Sequence, residues 1–265
     1  MSRTVLLTGT STGLGDAAAR LFFDKGWNVV ATARDAQAAV RGIEHPRLLR
    51  AHLDVTNPRS VEAAFDEAEE RFGAIDVVVN NAGVGLGGPF EKIELAQLRE
   101  HLEVNVIGIA SVCQVAIPRM RSRGGGLLIN VSSAAGRVGL PFLSPYCAGK
   151  FALEGLSESM RYELKPFGIR VKIVEPGGIR SNFSHAWATA QNYEPIATSV
   201  RETMMKGQQR AALPEVVARA IVVAANDRSD RLRYPASDAG LLFGIRKFLP
   251  DRVWRVFIGK IFGLF

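Results

Sequence analysis

The 265-residue sequence predicts one α/β domain: a doubly wound parallel sheet of about seven strands with helices on both faces. Three observations predict it. Short apolar runs alternate along the chain with amphipathic stretches of helical period, as βαβ units require. One run, residues 75–79, is apolar throughout, the pattern of a parallel strand covered on both sides. The first run leads straight into a glycine-rich turn and then a helical pattern.

Residues 4–7 read as the first strand, 13–25 as a helix, 28–33 as the second strand and 48–55 as the third. Residues 58–72 carry Val61, Ala64, Phe65 and Ala68 on one helical face. After the apolar strand come a long helix over 95–120, a strand over 126–131, a helix over 146–165 and a strand over 170–174. With 47% hydrophobic and 22% charged residues, one core is well supplied. Neither linker-like composition nor an internal repeat divides the chain. Two regions break the alternation. Residues 183–209 carry little strand signal but several large side chains: Phe183, His185, Trp187, Tyr193 and Met204. Residues 236–265 form a basic, apolar tail with Phe243, Phe248, Trp254, Phe257, Ile258 and Phe262, read as two short helices broken near Pro250.

The net charge is +7 and the pI about 9.7. Such a balance fits nucleic acid, anionic membrane or phosphate-bearing ligands. The 33 Lys and Arg are scattered, apart from residues 119–123 and 228–233, so a solvated surface is expected and nucleic acid is not. No segment approaches about 20 uninterrupted apolar residues, so no transmembrane helix is expected. Residues 5–7 run directly into the glycine turn and read as a strand rather than a leader. Cys113 and Cys147 form neither a disulfide framework nor a metal-ligand cluster. Reduced thiols, a cytoplasmic location and no metal are expected.

The first turn reads Thr8-Gly9-Thr10-Ser11-Thr12-Gly13-Leu14-Gly15. Glycines here permit a tight turn, close approach of a pyrophosphate and close helix–sheet packing, while the helix N-terminus offers free N–H groups to phosphate. Gly9, Ser11, Thr12, Gly13, Leu14 and Gly15 are therefore candidate cofactor contacts in a Rossmann-type dinucleotide fold. The first glycine gap is one residue longer than the usual fingerprint. At the end of the second strand, Ala33 stands where an acid would bind a ribose 2′-hydroxyl, and Arg34 follows. A guanidinium suits a 2′-phosphate, which points to NADP(H) over NAD(H). The alternative is a solvated Arg34 with Asp35 on the ribose.

Tyr146 and Lys150 lie four apart at the start of a helical pattern, hence on one face. A tyrosine near pKa 10 is a poor base at neutral pH. A neighbouring ammonium is expected to lower that value and make the pair a usable acid–base couple. The strand over 126–131 ends in Ser132-Ser133, and Ser133 stands thirteen residues before Tyr146, at the end of the sheet where a crevice opens.

Taken together, Thr8-Gly9-x-x-x-Gly13-x-Gly15, Asp54-Val55, Asn80-Asn81-Ala82-Gly83, Asn105, Ser133, Tyr146-x-x-x-Lys150 and Pro176-Gly177 resemble the short-chain dehydrogenases/reductases over nearly the whole length. The resemblance implies a catalytic set of Ser133, Tyr146, Lys150 and Asn105. Ser133 would polarise the substrate oxygen and Tyr146 exchange its proton; Lys150 would hold the nicotinamide ribose, and Asn105 a relay water. It also implies that Asp54 and Val55 meet the adenine, that Asn81, Ala82 and Gly83 wall the adenosine, and that Pro176, Gly177, Ile179 and Ser181 brace the nicotinamide. Gly149 departs from the more usual serine. Residues 183–212 correspond to the family's substrate-closing segment. Phe183, with Leu86, Phe90, Leu140 and Phe142, would make an apolar pocket. Residues 139–142 resemble the branch of 17-beta-hydroxysteroid and retinol dehydrogenases, so a hydrophobic ketone or secondary alcohol is the expected substrate.

His45, His52 and His101 read as isolated surface or packing residues, while His185 lies in the closing segment, where it could either pack or touch substrate. The tail could cover the pocket, pack on a partner subunit or lie on a membrane surface. The resemblance implies a homodimer or homotetramer paired through the two long helices. Two other functions compete: a non-catalytic dinucleotide-binding sensor, which has no need of Tyr146, and an epimerase or dehydratase, which usually carries a larger C-terminal lobe.

Overall fold

The computed structural model describes residues 2–181, 183 and 185–264. In chain order its strands are β1 (Thr4–Thr8), β2 (Asn28–Ala33), β3 (Leu48–His52), β4 (Val77–Asn80), β5 (Gly85–Gly87), β6 (Gly126–Val131), β7 (Ile169–Pro176), β8 (His185–Trp187) and β9 (Arg233–Ala236). Seven of them build one parallel sheet in the order β3-β2-β1-β4-β6-β7-β9. β1 pairs with β2 on one side and β4 on the other, so the strand order reverses there and a crevice opens at the carboxyl ends.

The helices are α1 (Gly13–Asp24), α2 (Pro58–Phe72), α3 (Leu95–Leu102), α4 (Gly108–Ser122), α5 (Ser144–Leu164), α6 (Ile196–Arg210), α7 (Pro214–Asn226), α8 (Ala239–Phe248) and α9 (Asp251–Ile261). Strand alternation feeds two separate cores. Val5, Leu7, Val77 and Val79 pack with Ala18, Phe22, Val217 and Ile221 of α1 and α7, while Leu6 and Val78 pack with Phe65, Val112 and Leu153 of α2, α4 and α5. That is the doubly covered sheet that the apolar runs predict.

Four features depart from the expectations. The long helix is broken between α3 and α4 by a π-helical turn, Glu103–Ile107, which holds Asn105. The closing segment has regular structure after all: β8 pairs in parallel with β5, and α6 follows. α7 and β9 are further elements beyond those the sequence predicts. β9 is four residues with a proline, admissible because it is the sheet edge, where a missing N–H costs least. Finally, Leu95–Ser122 is long and apolar enough to cross a membrane, yet Ile109, Val112, Cys113, Ala116 and Met120 are buried in the second core.

The tail folds as α8 and α9 on either side of Pro250, as the sequence suggests. Trp254 and Ile258 bury against Val138, joined by Leu140, Leu242 and Phe257. One face of α9, carrying Trp254 and Ile258, thus packs on the wall with Leu140, while its Val253, Val256 and Ile261 are exposed.

Candidate active site

α5 starts immediately after Leu143, with Pro145 in its first turn, where a missing N–H is harmless and the fixed φ favours helix. This start places Tyr146 and Lys150 one turn apart facing the crevice end of the sheet. Lys150 is buried, its Nζ donating to the Val131 carbonyl at 2.9 Å and lying 5.9 Å from the Tyr146 ring centroid. Ser133 follows β6, and its Oγ accepts from the Ala135 amide at 3.2 Å. A buried chain anchors α5 to the sheet: Asn80 donates to Asn130 and Asn130 to Ser157, each at 2.8 Å.

One electrostatic expectation is corrected. Burial pushes Tyr146 up to about 12, with the Ser133 hydroxyl opposing, while burial pulls Lys150 down to about 8 against the pull of Glu154. Desolvation of the phenolate dominates at Tyr146, and the Lys150 ammonium, 5.9 Å from the ring, does not offset it. In the chain alone Tyr146 is a neutral phenol, a proton donor rather than a base.

Asn105 is fully buried in the π turn. Its Nδ2 donates to Val84 O at 3.0 Å and His101 O at 2.9 Å, and its Oδ1 accepts from Val84 N at 3.2 Å. It therefore pins the strand β4 exit to the helix, and a Cβ on Gly83 would lie 2.7 Å from its Oδ1.

His101 belongs to this site rather than to the surface. It is 2% exposed, its ring lies 6.1 Å from that of Tyr146, and a Cβ on Gly149 would stand 3.1 Å from its Nε2. The departure to Gly149 sits against this imidazole. Burial first, then Lys150 and His185, draw His101 down to about 4, so it is neutral. The i,i+4 spacing of His101 and Asn105 was the available signal. His185 packs edge-on against Tyr146 at 5.0 Å between ring centroids, and burial draws it too down to about 4; its buried Nε2 has no hydrogen-bond partner among the described residues. His45 and His52 are exposed, as expected.

The glycine turn is locked from behind. Asn81 Nδ2 donates to Thr8 O and Gly9 O at 3.0 Å each, and Thr8 Oγ1 accepts from the Asn81 and Ala82 amides. Gly9 and Gly13 have φ of +71° and +59°, and a Cβ on Gly15 would collide with Gly9 O and lie 2.6 Å from Asn81 Nδ2. Thr12 caps α1 in extended backbone without a side-chain bond, leaving first-turn amides for an anion beside Ser11, Gly13 and Leu14. These residues fit a dinucleotide: the cradle is one that side chains would fill.

Arg34 is exposed at the end of β2, near enough to help lower Asp54. Asp35 is occupied, its Oδ1 accepting from Gln37 N as the cap of a 3-10 turn. Asp54 accepts from Thr56 N and Oγ1 at 3.0 and 2.8 Å, holding the loop that carries buried Val55. Across the crevice, the amide of Gly177 bonds Ala236 O, the Gly178 amide bonds Asp238, and Ile179 bridges to Ala212 after Pro176. A Cβ on Gly13 would come 3.5 Å from Ser181 Cβ, so this turn reaches the glycine turn.

Of the pocket residues, Leu86 is buried on β5, and Phe142 stacks on Trp187 at 6.3 Å. Phe183 lies 5.9 Å from the Tyr146 ring, and Leu140 packs between that ring's cluster and the tail. Phe90 stands outside these contacts, 62% exposed on a 3-10 turn after β5.

A family model described as short chain dehydrogenase matches residues 3–192. The chain belongs to the short-chain dehydrogenases. An uncharacterized oxidoreductase of Schizosaccharomyces pombe is 43% identical over 70% of this chain and 64% of its own. Human 17-beta-hydroxysteroid dehydrogenase type 1 is 40% identical over 69% of this chain and 59% of its own. The chain thus spans under two thirds of the length of both. A solved short-chain dehydrogenase from Streptomyces avermitilis is 32% identical, covering 93% of this chain and 94% of its own at a TM-score of 0.81. The same fold holds NAD in a Burkholderia phymatum structure (23% identical, 92% of both chains, TM-score 0.81). In one from Burkholderia cenocepacia it holds NADP (24% identical, 98% and 97% of the chains, TM-score 0.76). This chain is an oxidoreductase of that family, and a nicotinamide dinucleotide is its cofactor class.

Proposed function

We propose that the chain transfers a hydride between NADP(H) and a hydrophobic ketone or secondary alcohol, with Tyr146 as the proton-exchanging residue. The observation that carries this reading is the convergence of Ser133, Tyr146 and Lys150 at the switch-point crevice, beside a cradle built for a dinucleotide. When bound, the nicotinamide supplies or takes the hydride. Tyr146 Oη gives its proton to the carbonyl oxygen in reduction; its raised affinity for that proton favours the neutral phenol as the starting state. Ser133 Oγ holds the same oxygen, and Lys150, charged below about pH 8, faces the tyrosine. Asn105, bonded to Val84 and the His101 carbonyl, ties the π turn to the loop after β4.

Arg34 as the reader of a 2′-phosphate is supported by two observations: it is exposed at the end of β2, and Asp35 is engaged in capping. Arg34→Ala is expected to weaken NADPH binding about tenfold or more, as for a lost charge-assisted bond, with little change for NADH. Titrating both cofactors by fluorescence checks it, and equal losses would refute the assignment.

The apolar wall of Leu86, Leu140, Phe142, Trp187 and Phe183 supports a hydrophobic substrate, and the 17-beta-hydroxysteroid relative makes steroids the first class to try. A panel of steroid, retinoid, fatty-acyl and small ketones, followed by NADPH absorbance, tests the function. His185 offers the wall one unpartnered nitrogen. His185→Phe is expected to raise KM about tenfold, the worth of one hydrogen bond, with NADPH affinity unchanged; an unaltered KM would place His185 outside the substrate contacts. Two buried free thiols fit a reducing, cytoplasmic setting. Exposed Ile107, Phe151 and Tyr162 on and beside α4 and α5 fit a homo-oligomer paired through those helices.

A further inference from the structure

One turn beyond Lys150 on α5 stands Glu154, 5% exposed, and beside it on β7 Glu175, fully buried. Arg233 Nε lies 3.1 Å from Glu154 Oε2 and 3.6 Å from Glu175 Oε1, while its other arm meets Glu158 at 2.7 Å. Arg137 reaches Glu175 Oε1 at 3.4 Å. The 3-10 turn after Ser133 lies on this stretch of α5: a Cβ on Gly136 would come 3.1 Å from both Glu154 Cγ and the Lys150 carbonyl. Glu154 Oε1, Glu175 Oε2 and the Ser132 hydroxyl are buried without hydrogen-bond partners among the described residues.

Such a cluster is a poor device for stability. Desolvating two carboxylates and the arginines that serve them costs more than apolar residues of similar volume would, and leaving their oxygens unpaired adds to that cost. Its position suggests another use. We propose that Glu154, which touches neither substrate nor cofactor, is a positioning residue: its carboxylate, held by Arg233 and backed by Glu175, supplies the negative charge that keeps Lys150 an ammonium facing Tyr146.

The charged and titratable groups around Lys150 bear this out in sign. Tyr146 on α5 and His101 on α3 are both neutral in the chain alone. Burial pulls Lys150 down, and Glu154 is the group that opposes it. Beyond Glu154 stand Arg233, Arg137, Glu158 and Glu175. Burial first and Glu154 second push Glu175 up to about 7. Below about pH 7 Glu175 therefore holds its proton.

The proposal rests on the catalytic reading of Tyr146 and Lys150, and its test is independent of turnover. The titration of Lys150 is followed through its side-chain nuclear magnetic resonance signal in lysine-labelled protein, with Lys150→Arg identifying the signal. Glu154→Gln is expected to drop the midpoint from about 8 by about one pH unit, and Glu154→Asp to restore most of it. The alkaline limb of the activity profile should fall in step. If Glu154→Gln fails to fold, Glu154→Met, which removes the same charge while Arg233 keeps Glu158 and Glu175, carries the same expectation. An unmoved Lys150 midpoint in a folded variant overturns the proposal. Full activity in Tyr146→Phe overturns the catalytic reading alone, since it leaves the Lys150 midpoint to be read as before.

Discussion

Tyr146→Phe is expected to lower NADPH-dependent ketone reduction about a thousandfold, the middle of the range for losing a general acid, while leaving cofactor affinity and folding intact. The ring stays, so its edge contact with His185, its neighbours Phe183 and His101 and the α5 backbone are preserved. Only the hydroxyl goes, and with it the proton that neither histidine can replace: both are drawn down to about 4 and carry no extra proton at neutral pH. Stopped assays on a reducible ketone, a fluorescence titration with NADPH and a thermal melt together check the result. Activity within a factor of about three of the wild type would remove Tyr146 from the chemistry. Loss of NADPH binding would instead show that the phenol holds the cofactor.

The second large effect is expected at Gly15. An alanine Cβ there would run into the Gly9 carbonyl and lie 2.6 Å from Asn81 Nδ2. Neither can yield cheaply, because Gly9 is held at φ +71° with Ala82 Cα close by, and Asn81 already bonds Thr8 and Gly9. Overpacking of about 1–3 kcal/mol must appear either as lost stability or as a displaced turn. A displaced turn weakens dinucleotide binding by about ten- to a hundredfold. Gly155→Ala on α5 is the control, since a Cβ there meets nothing within 4 Å. Isothermal titration with NADPH and a melt of both variants decide it. Gly15→Ala binding as tightly as the control, at equal stability, would mean that the turn is looser than its contacts imply.

The elements of this site differ in how openly the sequence displays them. The glycine turn, Ser133 and the Tyr146–Lys150 pair lie within continuous stretches, and their geometry follows from local rules: free φ at glycine, the end of a strand, one helical turn. They could be placed from spacing. His101 was read as a surface or packing residue because nothing in its own stretch announces that the chain crosses beside Tyr146, forty-five residues later. Phe90 was read into the pocket for the converse reason: an aromatic side chain shows its size in sequence, but not the turn that leaves it 62% exposed. β8 escaped notice because three residues paired with a glycine-containing partner carry almost no periodic signal.

The sequence by itself determined the doubly wound architecture, the order of its main strands, the glycine turn and the spacing of the Tyr146–Lys150 pair, all consequences of short-range sterics and hydrophobic period. Only the tertiary structure decided the charge states. It set Glu154 and Glu175 together on Arg233, brought His101 and His185 against Tyr146, and desolvated that half-buried phenol so that it holds its proton rather than shedding it. The reason is physical: a dihedral preference belongs to a residue and its neighbours, whereas the desolvation of a charge depends on every segment that packs around it.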